Sequence, residues 1–254
     1  MNTLKKTLEL IDFIVKSPEG LTVSEIARKF NMSISNTYKY LTILEESGYL
    51  IRNSEKKYKP GFKLVEYGSI ILRKIDLREI AHPYIVDLAK KTGETIHLIL
   101  KENQVGIYID KIEGFNSLPM ISRIGMKVDL YCTSSGKAIL AFLPGKELNR
   151  YLNSVKLIPK TPHTIIDKKK LLTELNKIKK EGFAVDNEEN EIGIKCVAVP
   201  IFNHIGYPIA AISITGPAQR MTEEKISFFV PILKEASIYI SHKLGFRDLG
   251  GGAW

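Results

Sequence analysis

The sequence has few cysteines and no long apolar run, and each shortage excludes a class of protein. Cys132 and Cys196 are the only cysteines among 254 residues, too few for a disulfide framework. Reduced thiols are typical of the cytoplasm, so we expect a cytoplasmic protein. No apolar run reaches the ~18 residues that a membrane-spanning helix needs, and the first residues lead into a charged amphipathic pattern. We therefore expect neither a membrane partner nor a secretory signal.

Acidic residues are also in short supply. The chain has 28 acidic and 37 basic residues, a net charge of +9, which favours an anionic partner but also fits a lysine-rich solvated surface. Residues 1–75 carry +5 of this charge, although they are less than a third of the chain. Because 44% of the residues are hydrophobic and 26% are charged, we expect a folded globular protein, and its length favours one large or two smaller domains.

Three short helical patterns open the chain, over residues 4–16, 23–30 and 33–46. The second begins with the capping-box pattern Thr-Val-Ser-Glu at residues 22–25, and Ser33 can cap the third. The first helix is expected to bury a stripe formed by Leu4, Leu8, Ile11 and Val15. The third is expected to bury Ile34, Thr37 or Tyr38, Leu41 and Leu44.

A strand, a polar turn and a second strand follow, over residues 49–59. Two short helices joined by a tight corner, the second polar at its start, with a basic hairpin behind them, predict a winged helix-turn-helix. Compact polar side chains can read base edges in the major groove, and basic residues at the hairpin tip can bind phosphates. A three-helix bundle without a nucleic-acid role is the alternative. The residues expected at the DNA are Ser33 (mainly a cap), Ser35, Asn36, Thr37, Lys39, Tyr40, Arg52, Lys56 and Lys57.

The remaining sequence mixes strands with longer helices, which predicts an α+β domain with a largely antiparallel sheet. Strands are expected over residues 95–101, 105–112, 118–123, 183–185, 195–202 and 208–215. Helices are expected over residues 81–91, 137–143, 146–152, 168–181 and 222–244.

Several polar residues in this second part can carry chemistry. The Ser-Ser-Gly-Lys sequence at residues 134–137 opens a helix and offers amides and hydroxyls to an anion, although a helix cap with a packing glycine is the alternative. Asp186 opens an acidic stretch that, taken alone, fits a solvated loop. Cys196 fits a buried structural cysteine. Ser213 and Thr215 alternate on one face of an apolar strand, where a ligand can supply the partners that buried polar groups need.

Stretches at residues 21–50, 125–138 and 186–217 resemble the IclR family of bacterial transcriptional regulators. The likeness extends over nearly the whole chain, and the last two stretches are more specific than a helix-turn-helix, which many repressor families share. It implies a dimer formed through the DNA-binding part and commonly a tetramer overall, and the two-fold axis of such a dimer predicts a palindromic operator. It also implies a winged helix-turn-helix at 1–60, a linker helix at 61–76 and a GAF-like effector-binding domain at 77–246, while the glycine-rich ending predicts a flexible tail at 247–254.

The resemblance also implies a pocket for a small carboxylate effector, with no required cofactor. Some members have Gly-Ala where this chain has Ser134 and Ser135, and two extra hydroxyls favour a more hydroxylated ligand than a short keto acid. A sugar acid is therefore expected first, then an aromatic or aliphatic carboxylate, while a keto-acid catabolite stays open. The residues that match pocket positions of the family are Met120, Val128, Ser134, Ser135, Asp186, Ile194, Cys196, Ser213 and Thr215.

Two other functions compete with this interpretation. Asp186, Cys196 and His97 combine the carboxylate, thiolate and imidazole that Zn²⁺ prefers, so a zinc-responsive regulator is an alternative, although the spacing matches no metal-site signature. An enzyme that uses Cys196 with His97 as its base is less favoured, since no catalytic motif is readable and members of the family are not enzymes. The expected function is a DNA-binding regulator, with repression favoured over activation.

Overall fold

The computed structural model describes residues 3–17, 19–67, 76–116 and 120–247. The chain divides into two compact units, residues 1–75 and 76–254. Half of the predicted linker helix and nearly all of the predicted tail lie outside the described residues. The described part of that linker, residues 62–67, is helical and is named α4 here.

Within its described residues, the first unit has three helices, then a two-stranded hairpin, and then α4. Its elements are α1 (Thr3–Val15), α2 (Val23–Lys29), α3 (Ile34–Glu46), β1 (Leu50–Arg52) and β2 (Tyr58–Pro60). The strands pair antiparallel with Leu50 opposite Pro60, and Tyr58 also bridges to Leu21. The core consists of Leu10, Ile14, Ile26, Leu41, Leu44, Leu50 and Tyr58. This is a helix-turn-helix with a β-hairpin wing, as the sequence predicts.

Local side-chain hydrogen bonds explain where α2 and α3 begin. The Glu25 amide donates to Thr22 Oγ1 at 3.3 Å, and the Thr22 amide donates to Glu25 Oε2 at 2.7 Å, which completes the predicted capping box. Asn31 adopts a left-handed conformation (φ 49°) in the corner between the helices. Ser33 Oγ then accepts the Asn36 amide at 3.3 Å, so Ser33 caps α3 as predicted.

The predicted apolar stripe of α1 is wrong at three of its four positions, since only Ile11 packs against the core. Leu4, Leu8 and Val15 are 66%, 60% and 47% exposed, whereas Leu10 and Ile14 are fully buried. Apolar residues cover more than half of the circumference of α1, so periodicity alone does not tell which side faces the core.

Ile34 of α3 is also exposed, to 57%, whereas Thr37, Leu41 and Leu44 are buried as predicted. Ile34 is the first residue of α3, at the end of the helix. The predicted helix is therefore correct, but the predicted burial of its first residue is not.

The second unit is a six-stranded antiparallel sheet with helices, which confirms the predicted α+β fold. The strand order is β5-β4-β3-β8-β7-β6. The strands are β3 (Thr95–Glu102), β4 (Val105–Ile112), β5 (Lys127–Asp129), β6 (Ala184–Asn187), β7 (Ile194–Phe202) and β8 (Pro208–Pro217). The helices are α5 (Leu77–Thr92), α6 (Ser134–Phe142), α7 (Gly145–Ser154), α8 (Lys168–Glu181) and α9 (Glu223–Lys243).

The helices of this unit pack in two groups. α5 and α9 pack on each other, with α5 against β3 and β4 and α9 against β7 and β8, while α6 contacts α8, β7 and β8. The buried residues of α6, α7 and α8 form one core with Ala184, Ala198 and Ala211 of the sheet. Small alanines on the strands let α6 approach the sheet closely, which brings the first turn of α6 beside the strands.

One predicted strand differs from the structure. Residues 120–123 are not a strand, and residues 117–119 lie outside the described residues. β4 instead pairs with β5, where Val105 lies opposite Asp129. A three-residue strand with polar ends gives too little alternation for the sequence to reveal it. Within the described residues, no helix is long and apolar enough to cross a membrane.

Candidate nucleic-acid interface and ligand cavity

The exposed side of α3 carries most of the residues expected to read bases. Ser35, Asn36 and Lys39 are exposed, and Ser33 is exposed at the cap. We call these four residues the recognition surface. Serine, asparagine and lysine offer compact donors and acceptors, the chemistry that base edges require.

Two residues expected at the DNA do not belong to this surface. Thr37 is fully buried, and its Oγ1 donates to the Ser33 carbonyl at 3.0 Å, so its hydroxyl is turned to its own helix. Tyr40 is half-buried and packs against the core of the first unit. Helical spacing puts Thr37 and Tyr40 on the same side as the core residues Leu41 and Leu44, which explains why neither side chain faces outward.

The wing presents its three basic residues differently. Lys56 is exposed at the tip in a left-handed conformation (φ 60°). Lys57 Nζ lies 2.9 Å from Glu55 Oε2, and this hydrogen bond raises the pKa of Lys57. Arg52 Nη1 donates to the Tyr38 hydroxyl at 3.0 Å, so its guanidinium is directed at α3. No local pattern in the sequence indicates this contact, because it joins residues 14 positions apart.

A cavity of about 330 Å³ lies in the second unit between the sheet, the start of α6 and the segment before β5. All nine residues expected in the effector pocket line this ligand cavity, and so does His97. Residues from five separate parts of the chain therefore meet at one place.

The first turn of α6 forms one side of the ligand cavity. Thr133 Oγ1 accepts the Gly136 amide at 3.2 Å, and the Thr133 carbonyl accepts the Lys137 amide at 2.9 Å. The amides of Ser134 and Ser135 precede these and have no carbonyl one turn earlier in the helix, so they can bind an anion. A Cβ at Gly136 would lie 2.3 Å from the Leu130 backbone, so only glycine lets the turn sit here.

The sheet forms the opposite side. Asp186 lies opposite Cys196, which lies opposite Thr215, so three strands present a polar row on one face. Asp186 Oδ1 accepts the Glu189 amide at 2.7 Å. Burial, together with the nearby charge of Glu189, raises the pKa of Asp186 to about 7. Burial also raises the pKa of Cys196, so its thiol stays protonated at neutral pH.

His97 lies at the centre of the sheet and is 3% exposed. Burial lowers the pKa of His97 to about 3, so the ring is neutral. Its Nδ1 lies 3.2 Å from Thr215 Oγ1 and its Nε2 lies 2.9 Å from Ser122 Oγ. Both nitrogens thus have hydroxyl partners. Across the described ranges, no three or more His, Cys, Asp or Glu side chains are grouped to hold a metal ion, which leaves the zinc alternative without support.

Two family models together match almost the whole chain. The one described as "Bacterial transcriptional regulator IclR C-terminal" matches residues 70–242, and the one described as "IclR helix-turn-helix domain" matches residues 3–54. The chain belongs to the IclR family. It is therefore a DNA-binding transcriptional regulator with an effector-binding domain, and not an enzyme.

Curated relatives agree with this assignment. The chain is 33% identical over 247 residues to the Escherichia coli regulator XynR, covering 97% of this chain and 98% of XynR. It is 35% identical over 227 residues to E. coli KdgR, covering 89% and 86% of the two chains. It is 26% identical over 245 residues to the E. coli repressor AllR, covering 96% and 90%.

A solved structure also resembles this chain over nearly its whole length. The crystal structure of the Thermotoga maritima IclR is 60% identical in sequence, with a TM-score of 0.67. The match covers 97% of this chain and 100% of that one.

The rim of the ligand cavity contains residues that neither the sequence pattern nor the likeness to the IclR family indicated. Lys160 Nζ lies 2.9 Å from Asp129 Oδ2, and both residues line the cavity beside Lys127. Tyr108 and Met126 add apolar surface. These residues lie on β4, on β5 and in the loops before β5 and α8, so they come together only in the folded unit.

Proposed function

We propose that this chain is a cytoplasmic repressor that binds a palindromic DNA operator as a homodimer, or as a tetramer of two such dimers. The recognition surface reads bases in the major groove, and Lys56 and Lys57 of the wing bind phosphates or the minor groove. A two-fold dimer presents two identical helices, which is why a palindrome is expected. The name of the relative AllR supports repression. The observation that supports the DNA-binding proposal is the exposed polar face of α3.

We propose further that a small carboxylate effector occupies the ligand cavity and changes operator affinity. The amides of Ser134 and Ser135 bind the carboxylate, and Asp186, Ser213 and Thr215 bind ligand hydroxyls. Polar groups converge from α6 and from the sheet, whereas Met120, Val128 and Ile194 supply apolar contacts. This distribution favours a sugar acid, with a keto acid second. The effector controls DNA binding only if it favours one arrangement of the two DNA-binding units of the dimer over another.

Selection of duplexes from a random-sequence library tests the DNA-binding part. The full chain should enrich a palindromic sequence. Asn36→Ala should relax the preference at one position in each half-site, at a cost of ~1–3 kcal/mol. A selected sequence without two-fold symmetry, or an unaltered preference in Asn36→Ala, would contradict this arrangement.

Calorimetry tests the effector. D-gluconate, pyruvate, benzoate and Zn²⁺ are titrated into the full chain, and each is then added to the complex with the selected duplex. We expect a carboxylate to bind and to change DNA affinity. Asp186→Ala should abolish this response while leaving DNA binding intact. A response to Zn²⁺ alone, or normal carboxylate binding by Asp186→Ala, would overturn the proposed site.

A further inference from the structure

Arg52, at the end of β1, lies against the recognition helix rather than pointing away from the wing. Its Nη1 donates to the Tyr38 hydroxyl at 3.0 Å. Its guanidinium carbon lies 5.8 Å from the centre of the Tyr38 ring and 5.5 Å from that of Tyr58. Arginine stacks on aromatic faces and directs its donors in a rigid planar fork, so this contact is directional.

The three residues belong to three different elements. Tyr38 lies on α3, beside the recognition-surface residue Lys39. Tyr58 begins β2, is fully buried in the core and lies opposite Arg52 in the hairpin register. The guanidinium therefore joins the recognition helix to both strands of the wing.

The contact also reaches the tip of the wing. Arg52 Nε lies 3.5 Å from the Lys56 carbonyl, at the long end of hydrogen-bonding distance. The Lys56 side chain itself is exposed at the tip. Arg52 thus contacts the backbone that presents Lys56, while its guanidinium lies against Tyr38 and Tyr58.

From this geometry we propose that Tyr38 and Arg52 form a clamp that fixes the wing relative to the recognition helix. Arg52 is then a positioning residue for sequence recognition and not a phosphate contact. Binding through α3 and the wing at once requires a set distance between them, and only a sequence that suits both contacts at that distance is preferred. The proposal depends on the proposed DNA-binding mode.

Four variants separate the clamp from a phosphate contact. Tyr38→Phe removes only the hydroxyl that Arg52 binds, and Arg52→Lys keeps the charge but loses the planar fork. Tyr40→Phe is the matched control for tyrosine, because Tyr40 packs on the core, and Lys56→Ala is the control for a phosphate contact. Each is made in the full chain, and Tyr38→Phe is mild enough to keep the fold.

The measurement is a competition between the duplex selected by the unmodified protein and a scrambled duplex, repeated at several salt concentrations. Tyr38→Phe and Arg52→Lys should each reduce the preference about three- to tenfold without changing the salt dependence. The double variant should lose no more preference than the single variant with the larger loss, because both substitutions disrupt the same contact. Lys56→Ala should instead reduce the salt slope by about 1 and keep the preference.

Two results would overturn the clamp. One is an unchanged preference in Tyr38→Phe. The other is a normal preference in Arg52→Lys, which is the behaviour of a phosphate contact, because a phosphate needs only the positive charge that this variant keeps. If the unmodified protein prefers no sequence at all, the proposed function itself fails, and that outcome is visible before any variant is made.

Discussion

The recognition surface and the ligand cavity both use the N-terminal turn of a helix, yet they present it in opposite ways. Ser35 and Asn36 of α3 are exposed, whereas Ser134 and Ser135 of α6 are 2% and 1% exposed. A duplex is a large partner that can be contacted only from outside. A small ligand must be enclosed before it can touch several groups at once. The size of the partner therefore decides whether the same type of helix turn is open or covered.

This difference also sets how each site responds to solution conditions. Exposed charges such as Lys56 act through water and are weakened by salt. Buried groups are shielded from salt, but burial changes their pKa, as it does for Asp186. The affinity for DNA should thus depend mainly on salt concentration, and the affinity of the ligand cavity for its ligand mainly on pH. The following predictions test this contrast.

The largest effect is expected where a charge is buried behind the ligand cavity. Lys137 is fully buried, and its Nζ donates to Glu189 Oε1 and lies 3.7 Å from Glu174 Oε1. Lys137→Met leaves Glu189 without its cation and should cost about 3–5 kcal/mol of unfolding free energy. Chemical unfolding followed by circular dichroism measures this cost.

An exposed lysine is the control for that prediction. Lys146, on α7 of the same unit, is exposed. Lys146→Met should change stability by less than about 0.5 kcal/mol. Equal effects in the two variants would mean that the buried pair does not differ from a surface charge.

Close backbone packing at the first turn of α6 gives the next effect. A methyl group added at Gly136 would meet the Leu130 backbone at 2.3 Å, whereas one added at Gly145 has nothing within 4 Å. Gly136→Ala should destabilise the protein by about 1–3 kcal/mol and weaken carboxylate binding, because the turn must move. Gly145→Ala should do neither. Unfolding and calorimetry on both variants compare them, and a stable, binding-competent Gly136→Ala would show that the turn has room to adjust.

Local patterns in the sequence predicted much of both units. The caps Thr22 and Ser33 were correct because capping depends on residues three positions apart. The residues of the ligand cavity were found through the resemblance, since Asp186, Cys196 and Thr215 are distant in sequence and meet only by strand register. No local pattern could have brought them together.

The errors share a different cause. The buried face of α1 and the exposure of Ile34 both depend on which neighbour packs against an element. Periodicity predicts that a helix forms, but not which of its two apolar sides is covered. Lys160 was missed for the same reason, because its partner Asp129 is on a strand too short to recognise.

The pH dependence of stability due to Asp186 should be opposite to that of a carboxylate whose pKa is lowered by folding. Burial raises its pKa from 3.8 to about 7, so in this range the folded protein holds a proton that the unfolded chain has released. The free energy of unfolding should therefore fall as the pH rises from about 4 to 7. Asp186→Asn keeps a side-chain oxygen that can accept the Glu189 amide, but it does not titrate. The fall in unfolding free energy with rising pH should therefore be absent from this variant. Its stability relative to the unmodified protein should be greater at pH 7.5 than at pH 5, and an equal difference at both values would contradict the assignment.

The smallest expected effect is a difference between two lysines of the wing. It tests the salt dependence of DNA binding. Lys56→Ala should weaken binding to all duplexes alike and reduce the slope of log affinity against log salt by about 1. Lys57→Ala should reduce it by less, because Glu55 already binds this lysine in the free protein. Titrations between low and moderate salt measure both slopes, with Lys146→Ala expected to change nothing. If Lys57→Ala has the larger effect, Lys57 must leave Glu55 on binding, and its exchange of partners rather than its exposure determines its role.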